Sequence, residues 1–215
     1  MKLRLLAFLL MLLALGACAR RPQGTADVPR HLGPAVRVAV APFSQPTRTD
    51  ELITGQLPQL QGRISQDDLL ALDRDLREAL VTGTRRQYMF IPRRGAGQPQ
   101  NSARSTVQPS ALPRWVSYGR QHGVEYLLVP QVLDWHEREG SQAGVTDAAH
   151  VRLEFFLINL ESGEPVQRSI FEEKQVGLTE NLLSVPSFIK RKGLWITAGQ
   201  LADDGIRKAV GELGL

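Results

Sequence analysis

The residues best suited to chemistry in this 215-residue sequence are the polar run Asp134-Trp135-His136-Glu137-Arg138-Glu139 and the nearby His150. Imidazole and carboxylate groups are zinc ligands, so a two-histidine metal site is one interpretation. On an extended strand, however, Asp134 and His136 share one face and Glu137 lies on the other, so His136 and Glu137 do not converge. We therefore favour a solvated strand end and expect no metal and no cofactor.

A second candidate feature is the segment between Glu78 and Glu125, which has no acidic residue but seven arginines. Guanidinium groups pair bidentately with phosphate and carboxylate groups, so this segment could form a patch for anions or for an acidic partner protein. The candidates for that patch are Arg85, Arg86, Arg93 and Arg94. The alternative, which we favour, is that these arginines are simply solvated on the surface.

Known catalytic motifs are missing from the sequence. It contains no GxxxxGK[ST] phosphate loop, no HExxH zinc motif, no GxSxG nucleophile elbow and no CxxC pair. The carboxylates near the expected turns are explained by solvation, and nothing in the sequence buries a pair of them at a defined separation. We therefore expect a protein that is not an enzyme.

Composition excludes several further classes. With 26 Lys+Arg against 22 Asp+Glu, the formal charge of +4 is too small and too dispersed for a dedicated nucleic-acid binder. A hydrophobic content of 42% is too high for a disordered chain. The single cysteine excludes a disulfide framework and any zinc site built from several thiolates.

That cysteine follows a typical export signal. Lys2 and Arg4 precede eleven uninterrupted apolar residues, Leu5 to Leu15. A membrane-spanning helix needs about 20 apolar residues, so this run suits the central part of a signal peptide that is later removed. We expect residues 1–17 to form this signal peptide, which takes the chain out of the cytoplasm and makes a nucleic-acid partner improbable.

The next residues, Leu15-Gly16-Ala17-Cys18, resemble the lipobox of bacterial lipoproteins. This resemblance implies that the Cys18 thiol receives diacylglycerol and that Cys18, carrying palmitate-type acyl chains, becomes the first residue of the mature protein. Ala19, where an Asp would favour inner-membrane retention, implies the outer membrane and a protein that faces the periplasm. The alternative is an ordinary signal-peptidase cut after Ala19, since Ala17-Cys18-Ala19 is also an A-x-A pattern.

The remaining chain divides into a tether and one folded unit. Residues 18–34 are rich in proline, glycine and charge and have no apolar periodicity, which is typical of a lipidated flexible tether. Its sixteen residues after Cys18 reach at most about 55 Å. We expect residues 35–215 to form a single α/β periplasmic domain.

Apolar periodicity places the elements of that domain. Strands are predicted at residues 36–43, 88–91, 124–135, 150–160 and 166–174, with a bulge or an edge at Pro130. Helices are predicted at residues 65–83, at about 111–122, and from 197 to the carboxyl end, each with an amphipathic face. This order predicts an α/β fold in which a small mixed sheet packs against about three helices.

The segments VRVAVAPF and GVEYLLVPQVLDW, with the hairpin after them, resemble the curli-export lipoprotein, the lipoprotein activators of penicillin-binding proteins and the amino-terminal domain of the Tol translocation protein. This resemblance implies an anticodon-binding-like topology. WHEREGSQAGV and GLWITAGQLADDGI are similar to δ-proteobacterial lipoproteins with no assigned activity.

The implied function is a non-enzymatic, lipid-anchored adaptor or accessory protein that binds an envelope protein partner in assembly or transport. The alternative is a homo-oligomeric secretion or pore subunit of the curli-export type.

Overall fold

The computed structural model describes residues 32–33, 35–84, 86–93, 108–141, 144–175 and 195–215. Within these ranges there are three α-helices and seven β-strands. The helices are α1 (Gln66–Gly83), α2 (Leu112–Arg120) and α3 (Ala198–Glu212). The strands are β1 (Val38–Val40), β2 (Tyr88–Phe90), β3 (Tyr126–His136), β4 (Glu139–Gly140), β5 (Val145–Asp147), β6 (His150–Asn159) and β7 (Glu164–Lys174).

Five of these strands form one mixed sheet in the order β2-β1-β3-β6-β7. Strand β1 runs parallel to both β2 and β3, whereas β6 is antiparallel to both β3 and β7. Strands β4 and β5 form a separate two-stranded hairpin between β3 and β6. The predicted class, a small mixed sheet with about three helices, is confirmed.

The helices cover both faces of the sheet. Leucines at intervals of three and four residues give α1 one apolar face, and that face packs with α3 against one side of the sheet. Helix α2 packs Trp115 and Val116 against the opposite side, where they form a second apolar cluster. The first cluster also contains the buried side chain of Leu32, so the core reaches back into the segment predicted as tether.

Helix starts follow from their capping residues. The Ser65 hydroxyl accepts a hydrogen bond of 3.0 Å from the Asp68 amide at the start of α1. Thr197 and Gln200 form a reciprocal capping box at the start of α3. Within the described ranges, no helix is both long enough and apolar enough to cross a bilayer.

The irregularity predicted at Pro130 lies slightly further along β3. Pro130 pairs regularly with Phe155, and the pairing of β3 with β6 shifts between Val132 and Asp134 instead. The missing amide of Pro130 is tolerated because the β1 side of the ladder has only an isolated bridge there, at Ser44. The shift leaves Leu133 as the extra residue of a bulge, immediately before the polar run that ends β3.

Candidate functional site

The polar end of β3 meets the start of β6. His136 is the register partner of His150, and Asp134 is the partner of Arg152. Because β3 continues past the bulge as an extended strand, Asp134 and His136 lie on the same face, as the sequence predicts. The short β4–β5 hairpin returns the chain so that the two histidines become directly opposed.

One carboxylate joins the two histidines. The Oδ1 atom of Asp134 lies 3.1 Å from Nε2 of His136, and its Oδ2 atom lies 3.0 Å from Nδ1 of His150. The two imidazole rings are stacked, with centroids 6.0 Å apart and an angle of 13° between their planes. One donor atom from each of the three side chains lies within 4.8 Å of the other two.

The loop before α1 holds the Asp134 carboxylate in place. The backbone amide of Gly62 donates a 2.7 Å hydrogen bond to Asp134 Oδ1, and the Trp135 amide donates another of 3.1 Å. A Cβ atom at position 62 would lie only 2.1 Å from the Trp135 carbonyl oxygen, so this close approach requires glycine. The Asp134 side chain is 5% exposed and so departs from the expected solvated strand end, whereas His136, Glu137 and Glu139 are exposed as expected.

A carboxylate also lies near the far nitrogen of His150. Glu172 on β7 places Oε1 3.5 Å from Nε2 of His150. Next to it, Arg152 contacts both Glu172 and the fully buried Glu154, which also accepts a 2.7 Å hydrogen bond from Arg168. The face of the sheet at this end thus has a continuous polar network.

Asp134, His136 and His150 together form the histidine cluster. Glu137 faces away from this cluster, as the sequence predicts. Its carboxylate accepts hydrogen bonds of 3.1 and 3.2 Å from the Ala198 amide, at the amino terminus of α3. A negative charge is favourable there because it complements the helix dipole and an otherwise unpaired N–H group. Glu137 therefore fixes a helix end and does not join the histidines.

The predicted arginine patch is only partly described. Arg86 donates to the carbonyl oxygens of Val36 and Leu32, each at 2.7 Å. Arg93 donates to the Asp73 carboxylate at 2.6 and 3.0 Å and to the Phe43 and Leu69 carbonyl oxygens. Both guanidinium groups thus connect elements of their own chain. Arg85, Arg94 and the lipidation candidate Cys18 lie outside the described residues, and the patch stays a prediction.

The histidine cluster is the feature that sequence reasoning underestimated. The sequence identified the three side chains, but not the contacts that Gly62 and Glu172 supply from distant parts of the chain. One signal was present: Gly140 and Gly144 mark a turn between His136 and His150, which is the arrangement of a hairpin with opposed histidines. Two imidazoles and a carboxylate are a donor set that suits zinc and related ions.

No protein-family model and no curated protein matches the sequence. Among solved structures, the PelC dodecamer from Paraburkholderia phytofirmans is 15% identical, with 85% of this chain and 90% of that chain covered and a TM-score of 0.49. The C-terminal domain of LpoB from Salmonella enterica is 12% identical, covering 67% and 86%, with a TM-score of 0.35. Lipoprotein GNA1162 from Neisseria meningitidis is 10% identical, covering 74% and 98%, with a TM-score of 0.37. At these identities and scores the likeness concerns the course of the chain alone.

Proposed function

We propose that this chain is a lipid-anchored accessory protein of the bacterial envelope, which faces the periplasm from the outer membrane and binds a protein partner without catalysing a reaction. The observation that carries this proposal is Cys18, placed directly after Leu15-Gly16-Ala17 at the end of an eleven-residue apolar run. Ala19 supports the outer membrane as the location.

Acylation at this position supports stable attachment to a bilayer. Each buried methylene group contributes about 0.8 kcal/mol, and two or three acyl chains hold a protein far longer than one. Leu32, the first described residue, already belongs to the core, so at most thirteen residues separate Cys18 from the folded part. Fully extended, they span at most about 45 Å, so the folded part would start within that distance of the membrane surface.

The anchor is tested with the variant Cys18→Ala. We expect an uncleaved precursor without lipid, detected by its larger mass and by loss of labelling with a palmitate analogue. Ala19→Asp is the matched control, which we expect to be processed and labelled normally but recovered with the inner membrane. A Cys18→Ala protein of mature size would contradict lipidation and favour an ordinary cut after Ala19.

Partner binding is tested by photo-crosslinking in cells. A crosslinking amino acid is placed singly at exposed apolar positions in different parts of the fold, namely Leu60, Leu70, Val81, Met89 and Ile170. We expect one partner protein, captured from neighbouring positions on one surface only and lost in the Cys18→Ala background. Hydrolysis of purified peptidoglycan that disappears in His136→Ala would contradict the non-enzymatic proposal.

A further inference from the structure

We propose that Asp134, His136 and His150 bind one divalent transition-metal ion of the zinc class. The inference rests on the end of β3 and the start of β6, and it is independent of the proposed anchor and partner. From the sequence we expect no metal at this strand end. In the structure, however, the three side chains are held together more closely than a solvated strand end requires.

The distances suit a shared ion. Donor atoms that each lie 2.0–2.1 Å from a tetrahedral zinc ion are about 3.3 Å from one another. Oδ2 of Asp134 lies 3.0 Å from Nδ1 of His150, close to this separation, whereas the 3.1 Å contact of His136 Nε2 is to the other oxygen, Oδ1. One donor atom from each of the three side chains lies within 4.8 Å of the other two, so binding an ion would draw the donors closer together.

The surroundings of His150 also suit a metal-bound imidazole. Both of its ring nitrogens face carboxylate oxygens, Nδ1 at 3.0 Å from Asp134 and Nε2 at 3.5 Å from Glu172. A neutral imidazole carries one N–H group, so it can donate to only one of the two. With a metal ion between Nδ1 and Asp134, the single proton sits on Nε2 and points at Glu172, which is the usual outer partner of a metal-bound histidine.

Asp134 Oδ1 also has more nitrogen atoms close to it than its two lone pairs can accept hydrogen bonds from. Asp134 Oδ1 already accepts hydrogen bonds from the Gly62 and Trp135 amides, and a carboxylate oxygen has two lone pairs in its plane. Nε2 of His136 is the third nitrogen near Oδ1. An N–H group on it would find no free lone pair on Oδ1 to accept its hydrogen bond. An ion held by Oδ2 and both imidazoles removes this conflict, while the two amides fix the orientation of Asp134.

The site would remain open on one side. The His136 side chain is 46% exposed and that of His150 is 22% exposed, so three protein ligands leave a fourth position that faces solvent. Water or a ligand from another molecule could occupy it. Mg²⁺ and Ca²⁺ prefer shells of oxygen atoms, so two imidazoles select against them.

The test uses the full chain, purified free of metal and titrated with Zn²⁺ by calorimetry and with Co²⁺ by visible absorption. We expect one ion per chain, the d–d bands of a tetrahedral Co²⁺ ion, and displacement of Co²⁺ by Zn²⁺ but not by Mg²⁺. Glu172→Gln should weaken zinc binding about 10-fold to 100-fold. His136→Gln and His150→Gln should weaken it more than that and abolish the Co²⁺ bands.

Two variants serve as controls. His122→Gln changes a histidine after α2, and Cys18→Ala removes the thiol; both should bind zinc as tightly as the unchanged chain. His136 is half exposed, so His136→Gln is expected to fold, which circular dichroism verifies. Absence of stoichiometric binding, or equal zinc affinity in His136→Gln and the unchanged chain, would overturn the proposal and leave an array of hydrogen bonds and ion pairs.

Discussion

Two buried carboxylates on the same face of the sheet are compensated differently. Glu154 is fully buried between Arg152 and Arg168, whose guanidinium groups carry permanent positive charge. Among the described residues, Asp134 has no such arginine or lysine partner and faces two histidines and two backbone amides instead. A buried carboxylate is stabilised by the hydrogen bonds it accepts, and at Asp134 the Gly62 and Trp135 amides supply two of them.

Gly62 is the residue that connects the loop before α1 to this carboxylate. We predict that Gly62→Ala lowers the free energy of unfolding by about 1–3 kcal/mol, because the new Cβ would meet backbone atoms that cannot rotate away. The nearest of these are the Trp135 carbonyl oxygen at 2.1 Å and its carbon at 2.7 Å. Urea unfolding followed by fluorescence measures the effect.

A second glycine provides the control for that measurement. Gly211 lies near the end of α3 and is exposed, and a Cβ atom at this position would have no other atom within 4 Å. Gly211→Ala should leave stability unchanged or raise it slightly, since alanine favours a helix more than glycine does. Equal stability of Gly62→Ala and the unchanged chain would show that the loop moves away at little cost.

Arginine side chains show why composition alone could not identify a binding patch. The sequence correctly located a segment rich in arginine and free of acid, but a count of charges says nothing about where a long side chain reaches. Arg93 reaches Asp73 on α1 and two carbonyl oxygens, and Arg86 reaches the chain before β1. These partners are 20 to 54 residues away along the chain, beyond any local pattern.

Among the elements, long periodic ones could be predicted and short ones could not. The leucine spacing of α1 and the apolar runs of β3 and β6 identify these elements because each buries a continuous face. Strands β4 and β5 have two and three residues and are mostly exposed, so no apolar pattern marks them. The sequence predicts a bulge or an edge at Pro130; the bulge lies at Leu133 instead, and Pro130 is tolerated because the ladder on the β1 side does not need its N–H group.

The packing of α1 on α3 has an electrostatic cost that depends on pH. The pKa of Asp75 on α1 is raised above its usual 3.8, chiefly by burial and then by the nearby Asp203 of α3. Glu78 raises the pKa further, and Arg74 and Arg207 oppose the shift. The folded state therefore binds this proton more tightly than the unfolded state, so Asp75 destabilises the fold increasingly as pH rises above about 3.8, and fully once pH exceeds the raised pKa.

We predict that Asp75→Asn stabilises the chain at pH 7 by a few tenths of a kcal/mol, a small effect because the site is partly solvated. The gain should shrink as pH falls through the raised pKa and vanish below about 3.8, where both forms of position 75 are neutral. Urea unfolding at several pH values measures this difference.

The matched control is Asp67→Asn, in the first turn of the same helix. The carboxylate of Asp67 is exposed and complements the positive end of the helix dipole, so its removal should destabilise the chain at pH 7 by about 0.3–1 kcal/mol. Opposite signs for the two variants on α1 are expected. A loss of stability in Asp75→Asn would indicate that its carboxylate makes a favourable contact that outweighs its burial.

At the scale of the whole molecule, the three-layer arrangement leaves β2 and β7 at the two ends of the sheet order. Strand β7 is eleven residues long and carries several features that discourage pairing with another sheet. Pro165 lies within it, and the register with β6 shifts at the extra residue Val166. Its exposed side chains are mostly charged, namely Glu164, Arg168, Glu172 and Lys174, with the apolar Ile170 between them.

These features predict that the protein does not assemble by edge-to-edge pairing of β7, since proline, a bulge and charge each weaken such pairing. Native mass spectrometry of the detergent-solubilised chain and of its β7 variants measures this self-association. Replacing the charges at both ends of β7, in Glu164→Thr with Lys174→Thr, should increase self-association, whereas Glu161→Thr in the adjacent turn should not. A closed ring of the unchanged chain joined through β7 would contradict this prediction and favour the alternative function of a secretion or pore subunit.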